Sequence, residues 1–102
     1  MTLQTQLVLR GFLVEPAAQR YGLELADLVG LPTGTVYPIL ARLERAGLVE
    51  SHWEDPAAHE AAGRPRRRFY RLCPDGADRV RAELARAYRP RRARGLAREV
   101  TP

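Results

Sequence analysis

Five arginines, Arg64, Arg66, Arg67, Arg68 and Arg71, fall within eight consecutive positions of this 102-residue chain. A guanidinium carries a rigid fork of donors that matches phosphate or carboxylate oxygens two at a time. A cluster of this density points to a polyanion, of which nucleic acid is the commonest. All 17 basic side chains are arginine. High-GC coding accounts for arginine in place of lysine, but not for the clustering. Residues 1–63 carry four arginines against eight acids, and residues 64–102 carry thirteen against four. The net +5 therefore joins an acidic half at −4 to a basic half at +9, and the basic half is the electrostatic footprint. A second run, Arg89, Arg91, Arg92 and Arg94, reads as a solvated helix end that suits the helix dipole.

Other chemistries find little support. His52, His59 and Cys73 are the only soft metal ligands, and their spacing matches no zinc pattern. There is no Ser-His-Asp order, no phosphate loop and no convincing acid pair. No catalytic residue, metal or cofactor is expected, and the scattered acids read as solubilising helix faces. One cysteine excludes an internal disulfide and suits a reducing compartment. The opening Met1-Thr2-Leu3-Gln4 lacks the basic stretch of a secretory leader, and no apolar run approaches the ~18–20 residues of a membrane span. A cytoplasmic location without membrane contact is expected. At 45% hydrophobic and 28% charged, the chain reads as one folded domain, of a size that often leans on a partner subunit.

The elements that must hold the arginines follow from periodicity. Leu3, Leu7, Val8, Leu9, Phe12, Leu13 and Val14 recur at helical spacing, with Thr2 as cap and Pro16 as stop. This helix is apolar on several sides, which hints at a subunit contact. Tyr21 to Val29 fits a second short helix with Gly30 past its end. A third follows at once on Val36, Ile39, Leu40 and Leu43, closed by Gly47, with Pro32 suited to its first position and Pro38 bending it slightly. Two helices joined by so short a turn form a helix-turn-helix. Residues 48–54 then read as a strand and 67–72 as a second, with Val49, Ser51 and Trp53 on one face and Arg68, Tyr70 and Leu72 sharing another. Asp55 to Arg66 has no apolar period and reads as a mobile wing. A last helix starts at Pro74 and carries Ala77, Val80, Leu84 and Tyr88. Residues 96–102 either continue it or fray. Helix-turn-helix followed by a hairpin is the winged-helix order.

The run Gly34-Thr35-Val36-Tyr37-Pro38-Ile39-Leu40-Ala41-Arg42-Leu43-Glu44-Arg45-Ala46-Gly47-Leu48-Val49 resembles the recognition-helix signature of the PadR family of bacterial transcriptional regulators. Tyr21-Gly22-Leu23-Glu24-Leu25 is similar to the opening of that family's second helix. Gly63-Arg64-Pro65-Arg66-Arg67-Arg68-Phe69-Tyr70-Arg71-Leu72 is similar to its wing tip and returning strand, and Asp75-Gly76 to the start of its last helix. The match spans roughly residues 5–85. It implies a mainly α fold with a small β-hairpin, a winged helix-turn-helix plus a C-terminal dimerisation helix, in the branch with one helix after the wing. Residues 1–73 would be the DNA-binding domain and 74–102 the dimerisation helix and basic tail. Two positions depart from the pattern. Cys73 stands where threonine caps the last helix, a loss of up to ~1 kcal/mol, and Pro32 stands where a capping serine is usual.

The resemblance implies a repressor that binds an inverted-repeat operator as a homodimer, with half-sites near one turn (~10 bp) apart. Such regulators often repress their own gene. The groove-facing start of the recognition helix offers Thr33, Thr35 and Tyr37, with Arg42 and Arg45 further along. Tyr21 joins them through its motif. Thr33 can equally cap the helix, Tyr37 can pack against Pro38 or the wing, and Arg42 and Arg45 can pair with Glu44 or face solvent. Arg64, Arg66, Arg67 and Arg68 would grip DNA from the wing, where Gly63-Arg64-Pro65 also resembles the core of a minor-groove AT-hook. Leu3, Leu7, Phe12, Ala77, Val80, Leu84 and Tyr88 would form the dimer interface, and Trp53 would pack within the hairpin. The sequence leaves room for a small-molecule effector between the dimer helices without identifying one. The competing reading is a winged-helix protein–protein module whose arginine face meets an acidic partner.

Overall fold

The computed structural model describes residues 1–87. Tyr88, the arginines at 89, 91, 92 and 94, and the segment 96–102 lie outside them. The elements run α1 (Leu3–Leu13), β1 (Arg20–Tyr21), α2 (Gly22–Val29), α3 (Thr33–Arg45), β2 (Val49–Trp53), α4 (Pro56–Ala62) and β3 (Arg68–Leu72). A fifth helix, α5, occupies residues 76–87. The fold is mainly helical with a small antiparallel sheet, the winged helix-turn-helix arrangement. No helix of the described residues is long and apolar enough to cross a membrane.

Local chemistry sets the element ends. The Thr2 hydroxyl accepts from the Thr5 N–H at 3.2 Å and starts α1. Gly30 adopts φ +73°, a left-handed conformation that costs a glycine little, and turns the chain from α2 toward α3. Pro32 is the N-cap of α3 rather than its first residue, and Thr33 opens the helix proper. The cap makes no side-chain hydrogen bond; the Pro32 carbonyl accepts from Thr35 and Val36. Thr33 is therefore not a cap. Pro38 lies inside α3 on its exposed side, so the Gly34 carbonyl it cannot bond is also on the exposed side.

The core takes Val8, Leu9 and Phe12 from α1, Leu25 and Ala26 from α2, and Val36, Ile39, Leu40 and Leu43 from α3. Leu48, Val49, Tyr70, Leu72 and Val80 close it. Each helix thus buries one face at the 3–4 residue spacing read from the sequence. Phe12 and Val80, expected at a dimer interface, are 1% and 0% exposed. They are spent on the chain's own core and have no surface left for a partner. Leu3 is 69% exposed, while Leu7, Ala77 and Leu84 are half-buried.

Two expectations about the sheet and wing are corrected. The hairpin is the larger part of a three-stranded sheet of order β1-β3-β2. β1 was missed because two residues, Arg20 opposite Tyr70 and Tyr21 opposite Phe69, carry no alternation of their own. The wing is not structureless: α4 forms within it. The Asp55 side chain accepts from the Ala57 N–H at 2.9 Å, Pro56 sits in the first turn, and alanines fill most of the rest. α4 buries no residue, so it leaves no apolar period to read.

α5 starts against Leu48 and Leu72 with no room to spare. A Cβ on Gly76 would stand 2.9 Å from the Leu48 carbonyl oxygen and 3.0 Å from the Leu72 Cβ. The carbonyl is backbone and already accepts from the Cys73 N–H at 3.0 Å, so it cannot step aside. Gly76→Ala is expected to cost ~1–3 kcal/mol by urea denaturation. Gly34→Ala, where a Cβ meets nothing within 4 Å, should be neutral or gain up to ~1 kcal/mol.

Candidate nucleic-acid interface

The outer side of α3 is set by its buried side. With Val36, Ile39, Leu40 and Leu43 turned inward, Gly34, Pro38, Ala41 and Arg45 form the outward crown. Three of these four side chains are small, so the helix backbone can approach a surface closely. Tyr37 flanks the crown on one side. Thr35 and Arg42, seven residues apart, flank it on the other.

Tyr37 owes its position to a glycine. A Cβ on Gly22, the first residue of α2, would collide with the Tyr37 ring, so the ring lies against bare backbone there. It packs on α2, and 47% of the residue stays exposed. Tyr37 thereby faces the wing root and shares a cleft with Tyr21, Trp53, Tyr70 and Arg64 to Arg68. Of the expected contact residues, Tyr21, Tyr37, Arg64, Arg66, Arg67 and Arg68 converge here. Thr33, Thr35 and Arg45 do not line the cleft, and Arg42 lines a separate groove with Met1, Thr5, Arg79 and Glu83.

Glu54, just past β2, is the residue that sequence reading missed. It is 8% exposed, not a solubilising surface acid. Its carboxylate accepts from Arg64 Nη1 at 2.6 Å and Nη2 at 2.8 Å, a two-pronged pair. Its backbone carbonyl accepts from Arg66 Nε at 2.9 Å, and its N–H donates to the Arg67 carbonyl at 2.7 Å. The hydrogen bonds from Arg64 hold its carboxyl at about 2, against an ordinary 4.5; desolvation opposes them, and the Arg64 charge and the Arg67 N–H and charge add to them. Arg64 is consequently engaged within the wing. The one available signal was an acid at the end of a strand with arginines ten to thirteen residues on.

The other arginines lie over aromatic faces. Arg67 stands 4.0 Å above the Tyr21 ring. Arg66 and Arg68 lie 5.8 and 5.2 Å from the Trp53 ring centre, within the range of cation–π attraction. Trp53 is 52% exposed, so it is a platform rather than buried hairpin packing. Arg68 Nε also donates to Ser51 Oγ at 3.1 Å, and Ser51 in turn donates to Glu44 of α3 at 2.5 Å. Glu44 is thus occupied by Ser51 and Arg68, not by Arg42 or Arg45. Burial pushes the Tyr70 phenol up, so its hydroxyl stays protonated as a donor. Among the described residues no three His, Cys, Asp or Glu side chains converge on a metal-sized site.

Glu54 has a folded value below its unfolded one, so its contribution to stability is complete above 4.5 and fades as pH falls from 4.5 toward 2. Glu54→Gln is expected to lower Tm at neutral pH. The gap between the two proteins in thermal melts should close across that acid window. A gap independent of pH would separate Glu54 from the acid response.

The family model described as the transcriptional regulator PadR-like family matches residues 13–82. No curated protein matches the chain. Among solved structures, a PadR family transcription regulator from Clostridium difficile R20291 is 26% identical, with 89% of this chain and 97% of that one covered and a TM-score of 0.60. A PadR-like regulator from Bacillus cereus is 17% identical, covering 98% and 96%, at a TM-score of 0.62. BpsR of Bordetella bronchiseptica, whose DNA binding is regulated by 6-hydroxynicotinic acid, is 20% identical at a TM-score of 0.64. The match covers 85% of this chain but spans only 56% of BpsR. With the family model over more than two thirds of its length and this fold, the chain belongs to the PadR-like family of transcriptional regulators.

Proposed function

We propose that the protein is a sequence-specific DNA-binding repressor that acts as a homodimer on an inverted repeat, its own promoter included. The observation that carries this reading is the convergence of Tyr37 of α3 with Arg66, Arg67 and Arg68 of the wing on one cleft. The crown of α3 enters a major groove, where Thr35, Arg42 and Arg45 reach base edges or phosphates. Tyr21 and Tyr37 contact the flanking backbone. Thr33 borders the crown, and the wing arginines take the neighbouring phosphates or minor groove. Arg64 fixes the wing and is not itself a principal DNA contact.

Residues 1–73 form the reading unit and 74–102 the dimerisation helix with its basic tail. Exposed Leu3, with half-buried Leu7, Ala77 and Leu84, supplies the dimer face within the described residues. The protein works in the cytoplasm, without a metal or cofactor. An effector that shifts DNA affinity is compatible with this scheme, as BpsR is regulated by 6-hydroxynicotinic acid.

Fluorescence anisotropy on duplex from upstream of the gene, against a random duplex and across salt, tests the reading. Each neutralised phosphate adds ~0.9 to the negative salt slope. Arg66→Ala with Arg67→Ala should flatten that slope by ~0.9 for each phosphate no longer neutralised, and Arg64→Ala should chiefly destabilise the wing. Binding that ignores both DNA sequence and salt would favour an acidic protein partner instead. Gly22→Ala, which displaces Tyr37, should weaken specific binding by about fivefold, the value of one hydrogen bond of ~1 kcal/mol.

A further inference from the structure

The cleft between α3 and the wing root has a volume of about 550 Å³, inside the ~300–1,000 Å³ range of small-ligand sites. Four aromatic rings and four guanidiniums line it. The charges are not equivalent. Arg64 is neutralised by Glu54 at 2.6 Å, and Arg68 shares Glu44 at 3.8 Å. Among the described residues, Arg66 and Arg67 make no ion pair. Arg66 Nε is held by the Glu54 carbonyl and Arg67 lies over Tyr21, but no carboxylate among the described residues pairs with either. Two such guanidiniums match a phosphomonoester, which carries a charge of ~−1.5 to −2 at neutral pH. A carboxylate supplies a single charge.

The walls ask for a second feature in the same ligand. Tyr37 and Trp53 leave about half of their surface in water although each is largely apolar. A planar base covers such surface by stacking, as aromatic side chains do in proteins that hold the bases of a single strand. The protonated Tyr70 hydroxyl and the Tyr37 hydroxyl offer hydrogen bonds to a base edge. We infer that this cleft binds a nucleoside monophosphate, its phosphate on Arg66 and Arg67 and its base against Tyr37 and Trp53, and that the bound nucleotide excludes DNA. The exclusion rests on the proposed DNA reading; the nucleotide site itself does not.

The chain supplies its own reporter, because Trp53 is its single tryptophan and forms part of the wall. The intact protein without DNA is titrated with adenosine or guanosine monophosphate, following Trp53 emission at the red edge of its absorption and heat by calorimetry. The free nucleosides, inorganic phosphate and benzoate form separate arms. The expected result is saturable binding of a monophosphate, at least about tenfold tighter than any of those three. Arg66→Ala with Arg67→Ala should weaken it by a further tenfold or more, and so should Tyr37→Ala, a substitution clear of the wing. No saturable signal at millimolar monophosphate, or equal binding of nucleoside or benzoate, would overturn the site. Duplex affinity unchanged by saturating monophosphate would overturn the exclusion. Monophosphate binding by a protein that ignores every duplex would remove the DNA reading and leave the site standing.

Discussion

Glu54 sits where β2 gives way to the wing, and three of the arginines that follow are referred to it. A carboxylate at 8% exposure is tolerable only if its oxygens are matched, and the Arg64 fork together with the Arg67 N–H matches them. Its backbone groups then anchor Arg66 and the Arg67 carbonyl. One arginine is thereby committed to structure so that its neighbours have defined places. Like charges crowded into so short a stretch would otherwise splay it. The acid sets their directions as well as lowering the local repulsion.

A second polar link joins the wing to the helix it must work beside. Glu44 on α3, Ser51 on β2 and Arg68 on β3 form a chain across three elements. The contact of Tyr37 with the Gly22 backbone adds α2 to the same assembly. Helix crown, aromatic platform and basic strand therefore keep a constant relation to one another. Two surfaces that must fit one rigid partner need such preorganisation, since any ordering left until binding is subtracted from affinity.

Much of this was legible in the sequence. The apolar rows of α1, α2 and α3, the Gly30 turn and the two long strands follow from periodicity and turn chemistry, because each has a buried face. Tyr21, Tyr37 and the wing arginines, singled out by their motifs, line one cleft, but nothing in the sequence implied the cleft itself. What escaped reading had no such face. α4 buries nothing, β1 has two residues, and Glu54 looks like any surface acid until the chain folds back to bring Arg64 against it. Phe12 and Val80 were misplaced for the converse reason. A sequence marks a side chain as apolar but does not say whether its own domain or a neighbour covers it.

α4 is held by its own caps and by the wing root, and no core residue depends on it. Added or deleted residues there would change loop-closure entropy only slowly with length. A whole extra turn would lengthen α4 by ~5.4 Å. The tip and the recognition crown are thus separable inheritances. Duplicated copies of such a gene can drift apart in reach while the core that makes them foldable stays untouched.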